Sequence, residues 1–163
     1  MPRPFRIEHA TAADVPVIFG MIRALADYER LADAVTTTEE ELREVLFGAS
    51  PAAEVVIGYE GDAPAGIAIF FHNFSTFLGK RGLYLEDLFV KPEYRGRGYG
   101  KALLRHLAGI AVARDCGRME WSVLDWNAPA IGFYRKLGAV PMDEWTVFRL
   151  TGEALAALGS DKG

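Results

Sequence analysis

Three glycines, Gly96, Gly98 and Gly100, stand at alternate positions between Arg95 and Lys101, directly before an amphipathic run. Leu103, Leu104, Leu107, Ile110 and Ala111 fall at helical spacing, so the glycines open a helix with one buried face. The first N–H groups of a helix have no carbonyl of their own to bond and lie at the positive end of its dipole, which suits an anion. Arg95 and Arg97 add charge, although each also reads as a solvated surface arginine. Upstream, Leu83 to Val90 is almost wholly apolar and includes Tyr84 and Phe89, as expected of a strand covered on both faces. Lys91-Pro92 ends it, because proline donates nothing to a ladder and restricts the residue before it. The unit predicts a phosphate-bearing ligand at the end of a central strand. A tight turn before a helix would use the same glycines.

Two common phosphate signatures are excluded. A nucleoside-triphosphate loop needs glycine where Arg95 stands and Ser or Thr where Ala102 stands. The dinucleotide pattern has its third glycine where this chain has Lys101. Glu86 and Asp87 interrupt the apolar strand, and a carboxylate there is costly unless paired or placed at a cleft. Strict alternation sends the two side chains to opposite faces, so one of them is expected to meet a ligand. A structural ion pair or a capped loop end is the other reading.

Arg95-x-x-Gly98-x-Gly100 resembles the pyrophosphate-binding signature of the GNAT acyltransferases. Asn127-x-x-Ala130-x-x-x-Tyr134-x-x-x-Gly138 resembles that family's second block, at the expected distance and in the expected order. Tyr84 to Val90, Met142 to Trp145, Ala10 to Asp14 and Ala26 to Glu29 look like the spermidine/spermine N-acetyltransferase branch, so the resemblance spans nearly the whole chain.

The resemblance implies an acetyl-CoA-dependent N-acetyltransferase that needs no metal and acts directly on a small primary amine. Such a transfer needs an amine freed of its proton, a donor for the oxyanion and an acid for the leaving thiolate. The implied acid is Tyr134, whose phenol can hydrogen-bond sulfur and give up its proton; read alone, Tyr134 serves equally to pack its ring beside Phe133. The implied acceptor of the amine proton is Glu86, directly or through water. Leu88, Phe89 and Val90 would present backbone groups to the acetyl and pantetheine portions. Arg95, Gly96, Arg97, Gly98, Tyr99, Gly100 and Lys101 would hold the pyrophosphate, and Asn127 and Ala130 the pantetheine arm. The amine positions implied are Tyr28, Glu29, Glu86, Glu120, Trp121, Ser122 and Glu144. Carboxylates suit a cation and tryptophan faces can hold one, yet Trp121, Trp126 and Trp145 fit a core as well.

Leu137 departs from the polyamine pattern, since polyamine acetylases can carry a basic residue there. The branch also includes acetylases of thialysine-like side-chain amines, so polyamine and lysine-like amino acid both stand. A protein or peptide N-acetyltransferase is the alternative within catalysis, and a noncatalytic acyl-CoA-binding module the alternative outside it. The joint presence of Glu86 and Tyr134 argues against the latter. The branch implies a homodimer.

The elements that must position these residues are those of an α/β domain. Phe5 to His9 reads as a strand; Thr11 to Asp14 as a capping box opening a helix with a Val15, Ile18, Ile22, Leu25 stripe. Thr38 and Glu41 form a second box, opening a helix through Phe47. Strands follow at Glu54 to Tyr59 and Ala65 to Phe74, with a turn at Glu60 to Asp62 between them. After the glycine-loop helix come a strand from Met119 to Val123, a helix from Ala128 to Leu137, a strand from Thr146 to Leu150 and a short helix to Leu158. This order, β-α-α-β-β-β-α-β-α-β, coincides with the GNAT fold, a mixed sheet flanked by helices. At 163 residues one domain is expected over 1–158, with a loose tail at 159–163. A net charge of −4 argues against nucleic acid. Cys116 alone cannot form an internal disulfide, and His9, His72 and His106 are too scattered to suggest a metal. No run suits a signal peptide or a membrane span, so a cytoplasmic protein is expected.

Overall fold

The computed structural model describes residues 3–160, so Asp161 to Gly163 of the expected tail lie outside the described residues. The chain falls into two compact units, the first ending at Leu124 and the second beginning at Asp125.

The first unit is a five-stranded sheet with three helices. Strands β1 (Phe5–His9), β2 (Glu54–Glu60), β3 (Ala63–Ser75), β4 (Lys80–Val90) and β5 (Met119–Trp121) lie in sequence order across the sheet. The first three pairings are antiparallel and β4–β5 is parallel, as the α-helical crossover between the last two strands requires. Helix α1 (Val15–Tyr28) follows a 3₁₀ turn at Ala12–Asp14 and α2 (Glu39–Phe47) follows the Thr38 box. At that box the Thr38 hydroxyl accepts from the Glu41 N–H at 3.2 Å and the Glu41 carboxylate from the Thr38 N–H at 3.2 Å. On one sheet face Ile18, Met21 and Leu46 of these helices pack with Val55, Ile57, Ile67, Ile69 and Phe89. Met21 replaces the expected Ile22 in the fully buried stripe, while Ile22 and Leu25 lie at its margin.

Helix α3 (Tyr99–Ala113) buries Leu103, Leu104, Leu107 and Ala111 against β3 and β4. Each fully buried leucine contributes roughly 1.5–3 kcal/mol. Gly66 allows the close approach. A β-carbon there would stand 3.0 Å from the Phe89 carbonyl oxygen and 3.2 Å from Leu103 Cδ1. At its far end Arg114 makes a forked pair with Glu54, at 2.6 and 2.9 Å, tying the end of α3 to β2.

Between β3 and β4 the register passes from Ile69↔Asp87 to Phe70↔Leu85, leaving Glu86 as an extra residue, a β-bulge. The bulge breaks the strict alternation expected at Glu86 and Asp87. On its other side β4 pairs with β5 only over Leu83–Leu85. From Glu86 onward that edge of β4 has no strand beside it among the described residues.

The second unit contains α4 (Ala128–Lys136) and α5 (Gly152–Leu158). Gly159 caps α5. The strand expected at Thr146 to Leu150 does not form. Alternating residues make a strand only when a neighbour takes their N–H and C=O groups, and no ladder pairs this segment. Pro141 and the turn bonding Trp145 N–H to the Met142 carbonyl at 3.1 Å precede it, and Val147 and Phe148 are exposed. Strand β5 likewise stops at Trp121, short of the expected Val123. Trp126 and Trp145 are exposed and do not join the core.

Candidate active site

The site in the first unit is built at the end of β4. Tyr28 and Glu29 close α1, and the loop from Lys91 to Gly98 leads from β4 to α3. At the bulge Glu86 is exposed, while its neighbour Asp87 is half-buried. Burial pushes the Asp87 carboxyl up to about 6, with the charges of Glu86 and Glu29 adding to the rise. Glu29 is also raised above the ordinary carboxylate range, by burial. Three carboxylates thus share one neighbourhood, and Asp87 is the one whose pKa is raised to about 6, so that it is still mostly ionised at neutral pH. Sequence reading gave Glu86 the ligand-facing place and left Asp87 without a role. The missing signal was the bulge, which alternation cannot reveal.

Arg95 does not point solely to an anion. Its Nε donates to the Val90 carbonyl at 3.0 Å, and its guanidinium lies 4.7 Å from the Tyr28 ring and 5.6 Å from the Phe89 ring. A residue expected at the phosphates and one expected at the amine therefore touch each other. Arg97 donates to Glu60 on β2, which also accepts from the Tyr99 hydroxyl at 2.6 Å. Those two donors, Tyr99 first, hold the Glu60 carboxyl below its usual range.

Gly96 and Gly98 have φ of 78° and 80°, left-handed conformations that favour glycine. Gly98 caps α3 with no side-chain bond, and the first helical bond runs from Ala102 N–H to the Gly98 carbonyl. By helix geometry the N–H groups of Tyr99, Gly100 and Lys101 have no acceptor within α3. The exposed Lys101 stands among them. This arrangement fits a pyrophosphate. The strandless edge of β4 offers the backbone of Leu88, Phe89 and Val90 to a further ligand group, although the Val90 oxygen already accepts from Arg95.

On β5, Glu120 pairs with Arg118 at 3.0 Å and accepts from Asn73 at 3.4 Å, so its charge is already matched. Trp121 lies beside Leu85 in the parallel ladder, and Ser122 Oγ is 2.9 Å from the Tyr84 hydroxyl. In the second unit, Asn127 caps α4 as expected, its side-chain oxygen accepting from the Ala130 N–H at 3.4 Å. The cap thus joins Asn127 to Ala130, the two residues that the resemblance assigns to the pantetheine arm. Tyr134 lies in the last turn of α4 with its ring 5.7 Å from that of Phe133. Glu144 is exposed.

The acetyltransferase (GNAT) family model matches residues 19–139. The thialysine N-epsilon-acetyltransferase of Bos taurus is 38% identical, covering 93% of this chain and 95% of the relative. The L-ornithine N5-acetyltransferase NATA1 of Arabidopsis thaliana is 34% identical, covering 94% of this chain and 87% of the relative. Among solved structures, the integron cassette protein VCH_CASS6 from V. cholerae superposes with a TM-score of 0.81 at 26% identity, over 96% of this chain and 98% of the other. A family match across most of the chain, relatives of matching length and a shared sheet lead to one conclusion: the chain belongs to the acetyltransferase (GNAT) family and is an N-acetyltransferase.

Proposed function

We propose that this enzyme uses acetyl-CoA to acetylate a primary amine on a small substrate bearing a second positive charge, a lysine-like amino acid or a polyamine. The observation that carries the proposal is the cluster of Glu29, Glu86 and Asp87, whose charges act on one another at the end of β4. Three carboxylates, two of them partly desolvated, attract a dication more strongly than a monoamine. The relatives named for thialysine and ornithine support a side-chain amine.

In this reading the substrate ammonium is drawn to the cluster through Glu29 and Asp87, next to Tyr28. Glu86, exposed on the bulge, accepts the amine proton directly or through water. The thioester supplies the acetyl group and departs as a thiolate. Backbone N–H groups of Leu88 to Val90 stabilise the developing oxyanion, and Tyr134 gives the thiolate its proton. The loop from Arg95 to Lys101 holds the pyrophosphate, chiefly through its N–H groups and Lys101, while Asn127 and Ala130 meet the pantetheine arm. Trp121, Ser122, Glu120 and Glu144 complete the amine positions. No step calls for a metal.

The family match runs from residue 19 to residue 139 and so includes parts of both units, which supports a single catalytic domain over 1–158. A homodimer in the cytoplasm belongs to the same proposal. Exposed apolar side chains such as Val147, Phe148 and Leu158 suit a protein partner, and the net charge of −4 does not suit nucleic acid. The test is thiol release from acetyl-CoA with thialysine, ornithine, spermidine, a monoamine and a neutral peptide. Each matched charge is expected to raise kcat/KM by about tenfold or more. A monoamine or peptide in first place overturns the substrate assignment. Coenzyme A binding without turnover of any amine favours a noncatalytic module.

A further inference from the structure

We infer that Glu60 is a positioning residue for the coenzyme A loop, gripping with one carboxylate the two residues that flank Gly98. The inference rests on the proposed binding of acetyl-CoA. Glu60 ends β2, far from the loop in sequence, and its Oε1 accepts from both Arg97 and the Tyr99 hydroxyl. Its side chain is 15% exposed against 48% for Arg97, so the sheltered acid is the anchor and the arginine comes to it. Tyr99 is fixed from a second direction: its ring stacks on Phe5 of β1, with centroids 4.0 Å apart and planes 5° from parallel. The residue between them, Gly98, holds a φ of 80°.

Glycine loses more conformational freedom on ordering than any other residue, and this loop contains two, Gly96 and Gly98, with Gly100 following in the first turn of α3. A loop ordered only when the ligand arrives would charge that entropy to the binding step, whereas one ordered beforehand would not. The grip from Glu60 orders it beforehand, across the glycine whose conformation opens α3. A carboxylate near a phosphate site would by itself repel the ligand. Arg97 cancels that charge while doing the holding, so Arg97 serves the loop's shape more than it serves the phosphates.

The experiment is calorimetric titration with coenzyme A, alongside steady-state kinetics, on E60Q. The expected result is an affinity about three- to tenfold weaker, as the ion pair with Arg97 becomes an ion–dipole bond and the bond from Tyr99 a neutral one. KM for acetyl-CoA rises in parallel, while kcat at saturation and KM for the amine change by less than about twofold. In an R97Q background the same substitution weakens binding less or not at all, because it then also removes a negative charge that Arg97 no longer cancels. Tyr99→Phe keeps the stack on Phe5, removes one grip and shifts affinity in the same direction, so it carries the test if E60Q does not fold. Unchanged affinity in E60Q overturns the inference. So does tighter binding, which would make Glu60 a repelling charge only. If the wild-type protein binds no coenzyme A, the proposed function falls and takes the inference with it; if it binds and the variants match it, only the inference falls.

Discussion

Asp87 carries a burden that the fold imposes on it. A carboxyl whose folded-state pKa lies above its unfolded value of 3.8 favours the folded state fully below that value. The contribution is lost as pH rises through about 6. At neutral pH the charged Asp87 therefore opposes folding. Asp87→Asn is expected to raise the melting temperature near pH 8 and to leave it unchanged near pH 3; the gain is bounded by about 3 kcal/mol at 1.36 per pKa unit. Activity should move the other way, with kcat/KM for a dication falling and the acidic limb of the pH profile, near pH 6 in the wild type, disappearing. A variant that loses stability at pH 8 would contradict this account. Tyr134→Phe keeps the ring contact with Phe133 and removes the hydroxyl with its proton. A loss in kcat of about 10²–10⁴, at the lower end because a thiolate leaves readily, is expected under conditions where chemistry limits turnover. Composition and spacing singled out Glu86 and Asp87, because charge in an apolar run is visible in a sequence, whereas Tyr134 was pointed to by the resemblance alone. They did not show which carboxylate would be strained, because one extra residue in a strand leaves no mark in the alternation.

At the scale of elements, two glycines make opposite demands. Gly66 is required by space: a methyl group would press on the Phe89 carbonyl at 3.0 Å, Leu103 at 3.2 Å and Val90 at 3.3 Å. Gly66→Ala should destabilise the protein by about 1–3 kcal/mol through overpacking, read as a lower melting temperature. Gly98 is required by conformation, since nothing lies within 4 Å of a β-carbon there. Gly98→Val should weaken coenzyme A binding through backbone strain of roughly 1–3 kcal/mol while far-ultraviolet circular dichroism stays unchanged. The helices and their starts were legible because capping, periodicity and glycine stops are local signals; the Thr38 box and the Asn127 cap formed as read. The segment from Thr146 to Leu150 shows the limit. Its alternation is strand-like, but strand formation depends on a partner that no local pattern encodes. The pairings of Arg95 with Tyr28 and of Glu60 with Arg97 are hidden for the same reason, being contacts between segments far apart in the chain.

For the whole molecule, the exposed apolar side chains near the carboxyl terminus make association testable. Val147 and Phe148 are 85% and 93% exposed. Sedimentation should show a dimer for the wild-type chain, and Phe148→Glu should shift it toward monomer without abolishing coenzyme A binding. A wild-type monomer at micromolar concentration would remove the homodimer from the proposal. The Arg95–Tyr28 stack has a further effect, because it joins the segment proposed to receive the phosphates to the end of α1, where the amine is proposed to bind. Two ligands that lean on one shared contact cannot bind independently. If the amine favours or disturbs that stack, it changes the affinity for acetyl-CoA by some factor, and thermodynamic reciprocity obliges acetyl-CoA to change the affinity for the amine by the same factor. Saturation with either partner would then report on the other, and the link between the two proposed sites would be one guanidinium lying on one ring.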